Sequence, residues 1–137
     1  MTPQDLATTH AAAFRTARPW SAEEFATLLD NRFCHVFGDS RCFALIRVIA
    51  DEAELLTIAT LPDAQRQGLA RACMERWQSA AVKLGATRAF LDVAADNRAA
   101  RSLYAACGYD RCGQRVGYYA RETGDPVDAI LMARALP

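Results

Sequence analysis

What the 137-residue chain lacks narrows its function before any motif is considered. It has five cysteines, Cys34, Cys42, Cys73, Cys107 and Cys112, but no Cys-x-x-Cys pair, and only His10 and His35 to help them. A zinc site of ordinary spacing is therefore not expected, and no metal is read. An odd number of scattered thiols cannot all pair within one chain, which fits a reduced, cytoplasmic protein. Sixteen basic residues balance sixteen acidic ones, so no global charge draws the chain to nucleic acid or an anionic membrane. Arg98 and Arg101 form a basic spot without interleaved aromatics, and nucleic-acid binding is not expected from it. No apolar run approaches the roughly 18 residues that suggest a membrane helix, and no basic-then-apolar leader opens the chain. Repeats, low-complexity tracts and linkers are absent, so residues 1–137 are read as a single domain.

The phosphate-loop signatures with a fixed glycine code are missing too. There is no Gly-Lys-Ser/Thr and no set of three spaced glycines, which excludes a Walker loop and the dinucleotide fingerprint. What is present is Gln65-Arg66-Gln67-Gly68-Leu69-Ala70-Arg71, between an apolar run ending at Leu61-Pro62 and a segment with helical spacing. A strand-to-helix turn of this kind exposes backbone N–H groups at the positive helix end, and its glycine admits a bulky anion. A phosphate or pyrophosphate is the expected occupant.

Around that turn the elements fall in order. Pro3 to Phe14 predicts a first helix, and Ser21 with Glu24 forms a capping box for a second, reaching about Asp30. Phe33–Phe37, Arg41–Ala50 and Glu54–Leu61 read as strands, separated at Gly38-Asp39-Ser40 and Asp51-Glu52-Ala53. Leu69, Cys73, Trp77, Ala80, Ala81 and Leu84 share one helical face, with Gly85 as C-cap. A strand over Arg88–Ala94, a helix over Arg98–Cys107 capped by Asp96-Asn97, and strands over Tyr109–Val116 and Val127–Arg134 complete the chain. The fold class is α/β (α+β): a mixed, largely antiparallel sheet with helices on both faces and a parallel crossover after the glycine loop.

Gln-x-x-Gly-x-Ala resembles the acyl-CoA pyrophosphate loop of the GNAT superfamily of N-acyltransferases. A second segment, Asn97-x-x-Ala100-x-x-Leu103-Tyr104-x-x-x-Gly108-Tyr109, is similar to the superfamily segment that packs beside the thioester. Arg18-Pro19-Trp20-Ser21, Arg115-x-x-Tyr118-Tyr119 and Asp128-Ala129-Ile130-x-Met132 extend the likeness nearly end to end, toward bacterial ribosomal-protein-alanine N-acetyltransferases. The resemblance implies acetyl-CoA as cosubstrate and the α-amine of a protein N-terminus as acceptor, with a ribosomal protein alanine as the candidate.

The resemblance also implies roles. Backbone groups at Ile58 and Thr60 would pair with pantetheine, an amide of Ile58 or Ala59 would polarise the thioester carbonyl, and the N–H groups of Gln67, Gly68, Leu69 and Ala70 would hold phosphates, assisted by Arg66 and Arg71. Asn97 is a helix cap that can also reach the cofactor. Tyr104 is the candidate general acid, since a phenol of intrinsic pKa about 10 is protonated at neutral pH and can serve a departing thiolate. Asp92 is the candidate base. The family position usually carries Glu, so Asp92 is one methylene short and would act through a water, or would only orient the ammonium or make a salt bridge. Trp20, Tyr118 and Tyr119 are candidate walls of the acceptor site, with the tyrosine pair in a Gly117–Pro126 loop. Two other readings remain open at this point: transfer to a small-molecule amine, and a non-catalytic CoA-binding module.

Overall fold

The computed structural model describes residues 1–14 and 18–137. Its elements are α1 (Pro3–Ala13), α2 (Ala22–Leu29), β1 (Cys34–Asp39), β2 (Cys42–Ile49), β3 (Glu52–Thr60), α3 (Leu69–Lys83), β4 (Arg88–Ala94), α4 (Arg98–Ala106), β5 (Asp110–Tyr119) and β6 (Val127–Ala135). The two N-terminal helices start for the same reason. Thr2 and Ser21 each accept the N–H three residues on, and the carboxylates of Asp5 and Glu24 accept the cap N–H in return, satisfying two end donors reciprocally.

The six strands form one sheet in the order β1-β2-β3-β4-β6-β5. Every neighbouring pair is antiparallel except β3–β4, which α3 joins as a parallel crossover. Apolar side chains cover both faces. Against α3 and α4 lie Ala44, Ile46, Leu55, Leu91, Val93 and Met132, with Trp77 of α3 fully buried among them. On the other face Phe43, Leu45 and Ala59 pack under Leu6 of α1 and Phe25 of α2. The mixed sheet, its parallel pair and helices on both faces agree with the fold class read from sequence.

Three boundaries differ from the sequence reading. Gly38 and Asp39 continue β1, and Glu52 and Ala53 begin β3, so only Ser40-Arg41 and Ala50-Asp51 remain as turns. Two residues suffice to close a hairpin, and Ala50 takes the left-handed φ of 53° such a turn requires. Tyr118 and Tyr119, expected in a loop, belong to β5. Between Arg115 and Tyr119 that strand carries two extra residues, because Arg115 faces Ala129 while Tyr119 faces Val127, and one more stands between Arg111 and Gly113.

A second irregularity positions the site. On β3, Leu55 faces Ile46 but Thr57 faces Leu45, leaving Leu56 as an unpaired extra residue. This bulge reverses the alternation: Leu55 packs toward α3, and three residues later Ile58 does too, while Leu56 and Ala59 pack toward α1 and α2. A bulge sharpens local twist. The β3–β4 ladder accordingly ends at Leu55↔Leu91, although β3 continues to Thr60 and β4 to Ala94. The two strands part there and leave a wedge open at their C-terminal ends.

Candidate active site

One wall of the wedge is backbone. The Leu61 N–H donates to the Arg41 carbonyl at 2.8 Å, which fixes the phase of the β2–β3 ladder. Thr57 and Ala59 then exchange hydrogen bonds with β2, while Ile58 and Thr60 turn their N–H and C=O groups toward the wedge. Past Leu55 no β4 partner meets them. The sequence reading offered an amide of Ile58 or Ala59 as carbonyl donor; the ladder commits Ala59 to β2 and leaves Ile58.

The floor of the wedge leads to the glycine loop. After the 3-10 turn Pro62–Ala64, Arg66 and Gly68 both take left-handed φ, 62° and 77°. Gly68 is the N-cap of α3 and no side chain caps that end, so the first-turn N–H groups after it remain available as donors. A β-carbon built on Gly68 would have no atom within 4 Å. The glycine is therefore needed for its backbone conformation and for open space in front of the donors, not to relieve crowding. Gln67 folds its amide back onto the Asp63 carbonyl at 3.3 Å. Arg66 and Arg71 are both exposed, and Arg71 has only a loose 3.9 Å contact with Glu75. These donors and cations suit a pyrophosphate.

Beyond the wedge lie the titratable side chains. Leu91 and Val93 face α3, so Asp92 projects to the opposite face, where helices α1 and α2 no longer cover the sheet. It is half-buried there, beside a shallow cavity of about 110 Å³ whose lining includes Glu54, Phe90, Arg115 and Leu131. Tyr104 comes from α4 on the other face. Its ring is buried at 6 % exposure and meets Tyr109 edge-on at 6.2 Å. Among the described residues no buried side-chain oxygen lacks a partner, and the Tyr104 hydroxyl bonds no protein atom, so it opens onto accessible space. Burial, then the nearby Tyr119, pushes its phenol well above the ordinary tyrosine range, keeping it protonated as a donor.

Tyr119 stands near both groups. Burial first, and the Asp92 carboxylate second, push its phenol up to about 12. Tyr118 crosses Tyr119 edge-on at 5.1 Å, is itself half-exposed, and carries the Arg115 guanidinium 5.1 Å above its ring. Asn97 caps α4, its side-chain oxygen accepting the Ala100 N–H at 3.2 Å, which leaves its amide N–H donors free. Trp20 is placed differently from the reading of it as an acceptor wall. Its main-chain N–H donates to His10 Nδ1 at 3.1 Å, and its ring stacks on His10 at 5.1 Å and lies tilted against Phe25 at 5.5 Å, so most of the indole serves the packing of α1 on α2.

Leu56, Asp128 and Arg121 are not among the site residues expected from the sequence. Leu56 was detectable as the second half of a Leu55-Leu56 doublet that breaks strict alternation. Asp128 appeared only as part of a family signature, and nothing local marked Arg121.

A splayed parallel pair, an uncapped helix end after a left-handed glycine, and a buried phenol and a carboxylate on opposite faces of the sheet with Tyr119 near both, suit acyl transfer. The Acetyltransferase (GNAT) family matches residues 5–109, and the chain belongs to that family. It is an acetyl-CoA-dependent N-acetyltransferase. The chain is 39 % identical to the [ribosomal protein bS18]-alanine N-acetyltransferase of Escherichia coli (strain K12), over 85 % of this chain and 81 % of the relative. The crystal structure of the ribosomal-protein-S18-alanine N-acetyltransferase from Escherichia coli superposes with a TM-score of 0.87 at 34 % identity, covering 98 % of this chain and 87 % of that one. Arabidopsis thaliana NAA60, solved in complex with acetyl-CoA, shares the fold with a TM-score of 0.82 at 16 % identity, over 99 % and 96 % of the two chains. Among the described residues no cluster of three or more His, Cys, Asp or Glu could hold a metal, and no helix is long and apolar enough to cross a membrane.

Proposed function

We propose that this chain transfers the acetyl group of acetyl-CoA to the α-amine of an alanine at the N-terminus of the small-subunit protein bS18, in the cytoplasm, within one domain spanning residues 1–137. The observation that carries the reading is the wedge at Leu56: it presents the free backbone of Ile58 and Thr60 to an extended chain that ends at the donors after Gly68. Pantetheine adds to β3 there as a short strand. The N–H groups of Gln67 to Ala70 receive the pyrophosphate, with Arg66 and Arg71 adding charge-assisted contacts, and the Asn97 amide reaches the same track.

The chemistry then divides between the two faces of the sheet. The Ile58 N–H donates to the thioester oxygen as negative charge grows on it. Asp92 takes a proton from the incoming ammonium through one water, which covers the reach its short side chain lacks. Tyr104 donates to the departing thiolate; the dry setting that raises the phenol raises the thiol as well, so the two stay matched well enough for a proton to pass. Tyr118 and Tyr119 form the acceptor wall, and the exposed part of Trp20 borders its entrance.

The test is a panel of peptides beginning with Ala, Ser, Met and an acidic residue, together with small primary amines, assayed by release of CoA thiol. Preference for the Ala peptide is expected. Turnover of amines but not peptides would replace the acceptor, and acetyl-CoA binding without any turnover would make the chain a binding module.

A further inference from the structure

The acceptor wall is an irregular piece of edge strand, and something must hold it. Two extra residues between Arg115 and Tyr119 push β5 out of register with β6, and Val116 within them is 85 % exposed, with no packing of its own. Left alone, such a segment would sample many conformations.

Two polar contacts restrain it. Asp128 of β6 accepts the Gly117 N–H at 2.8 Å through Oδ1 and the Gln114 side-chain amide through Oδ2, and the Arg111 guanidinium donates to Gln114 behind it. Gly117 has a φ of 61°, the left-handed turn that aims its N–H at the carboxylate. The main-chain carbonyl of Asp128 also accepts the Ala95 N–H at 2.9 Å, from the loop between β4 and α4. The second contact reaches the same loop. Arg121, just after the strand, donates to Asp96 Oδ1 at 2.9 Å, and its side chain is only 10 % exposed. The Asp96 carboxylate is half-exposed but the guanidinium is covered, so separation would leave the shielded Arg121 charge without its partner. Asp96 precedes Asn97, the cap of the helix that carries Tyr104.

We infer that Asp128 and the Arg121–Asp96 pair are positioning residues that latch the Tyr118–Tyr119 wall to the start of α4, so that the acceptor face and the helix bearing Tyr104 are held in one fixed relation. Neither residue reaches the reacting atoms. Asp128 shapes the bulge from the neighbouring strand β6, and Arg121 ties its far end across β6 to the loop after β4, so the tyrosine pair stays aligned between Asp92 on one face and Tyr104 on the other. This inference rests on the proposed acceptor reading.

Steady-state kinetics of Arg121→Ala, Asp96→Ala, the double variant and Asp128→Ala, with Ala peptide and acetyl-CoA varied in turn, test it alongside amide hydrogen exchange of residues 114–121. Loss of alignment at a reacting centre costs about tenfold or more, so kcat/KM for the peptide should fall by about that factor while KM for acetyl-CoA stays within about twofold. The double variant should be no worse than either single one, and exchange across 114–121 should speed up in all four. Unchanged peptide kinetics, additive losses in the double variant, or a parallel rise in both KM values with a lowered Tm would overturn the latch. If wild-type protein acetylates no peptide, the acceptor reading fails by itself; the exchange arm still decides the latch, which falls if 114–121 is equally protected in wild type and variants.

Discussion

Replacing Gly68 by alanine separates what the loop does for the fold from what it does for the ligand. Gly68 sits at φ 77°, where an L side chain costs roughly 1–2 kcal/mol. Part of that is offset because alanine restricts the unfolded chain, by about 0.4–1 kcal/mol. No atom lies within 4 Å of the new β-carbon, so no clash adds to the sum, and a net loss of about 1 kcal/mol follows. Binding suffers more. Gly68 immediately precedes the uncapped α3 donors, so a methyl group there competes with a bound phosphate for the open space, and forfeiting one charge-assisted hydrogen bond costs about 1.5–3 kcal/mol, or roughly 10- to 100-fold in Kd. Gly85 provides the control: its φ is 102° and it too has nothing within 4 Å, but it follows the far end of α3. Urea melts and calorimetric titration of acetyl-CoA should give both variants similar stability losses and only Gly68→Ala a weakened Kd. Equal affinities in the two variants would refute the phosphate role of the loop.

Tyr104→Phe removes a hydroxyl that opens onto accessible space and keeps the packing against Tyr109, so kcat should fall by about 100-fold or more with KM for acetyl-CoA nearly unchanged; retained turnover in a thiol-release assay would dismiss it as the acid. Asp92→Asn should lower kcat/KM by a similar factor, whereas Asp92→Glu should restore or exceed wild-type activity by shortening the route to the amine. His10 predicts a pH-dependent stability. Burial pushes its imidazole down to about 4 while the unfolded chain titrates near 6.5, so the unfolded state takes up the proton first. The stabilisation is complete above about pH 6.5 and is lost as pH falls toward 4, a total on the order of 3 kcal/mol. Urea midpoints between pH 4 and 7 should slope accordingly, and His10→Phe should flatten that slope; an unchanged slope would mean that another group carries it.

The order of helices and strands was legible because each element carries its own signal: caps at Ser21 and Asn97, a helical stripe from Cys73 through Trp77 to Ala81, a glycine after α3. So was the family, since Gly68 and the Asn97–Tyr109 segment stand at family spacing. The failures share one cause. The bulge at Leu56 and the strand placement of Tyr118 and Tyr119 escape the sequence where a strand departs from period two, and period is what a sequence pattern expresses. An extra residue changes which neighbours a backbone faces without changing composition. The acceptor latch was invisible for a related reason, because Arg121 and Asp96 lie 25 positions apart and meet only once β5 and β6 have folded back.

The bulge also yields the sharpest test of how this site is made. Deleting Leu56 would place Thr57 directly after Leu55 and restore strict alternation: Leu55 toward α3, Thr57 toward α1, Ile58 toward α3, Ala59 toward α1. Those are the faces Leu55, Ile58 and Ala59 occupy now, and the partners Ile46 and Leu45 would be met in unbroken register. The fold loses one partly buried leucine, at most about 2 kcal/mol, and regains ladder hydrogen bonds as β3 continues alongside β4. What disappears is the wedge, because Ile58 and Thr60 would turn their free groups to Asp92 and Ala94 instead of to a ligand. The deletion variant should thus fold with a Tm near that of the wild type while acetyl-CoA affinity drops by about 100-fold or more, the loss of two or more backbone hydrogen bonds to the ligand. Wild-type affinity in a folded variant would mean that the strands part for some other reason, and that the bulge is not what opens the site.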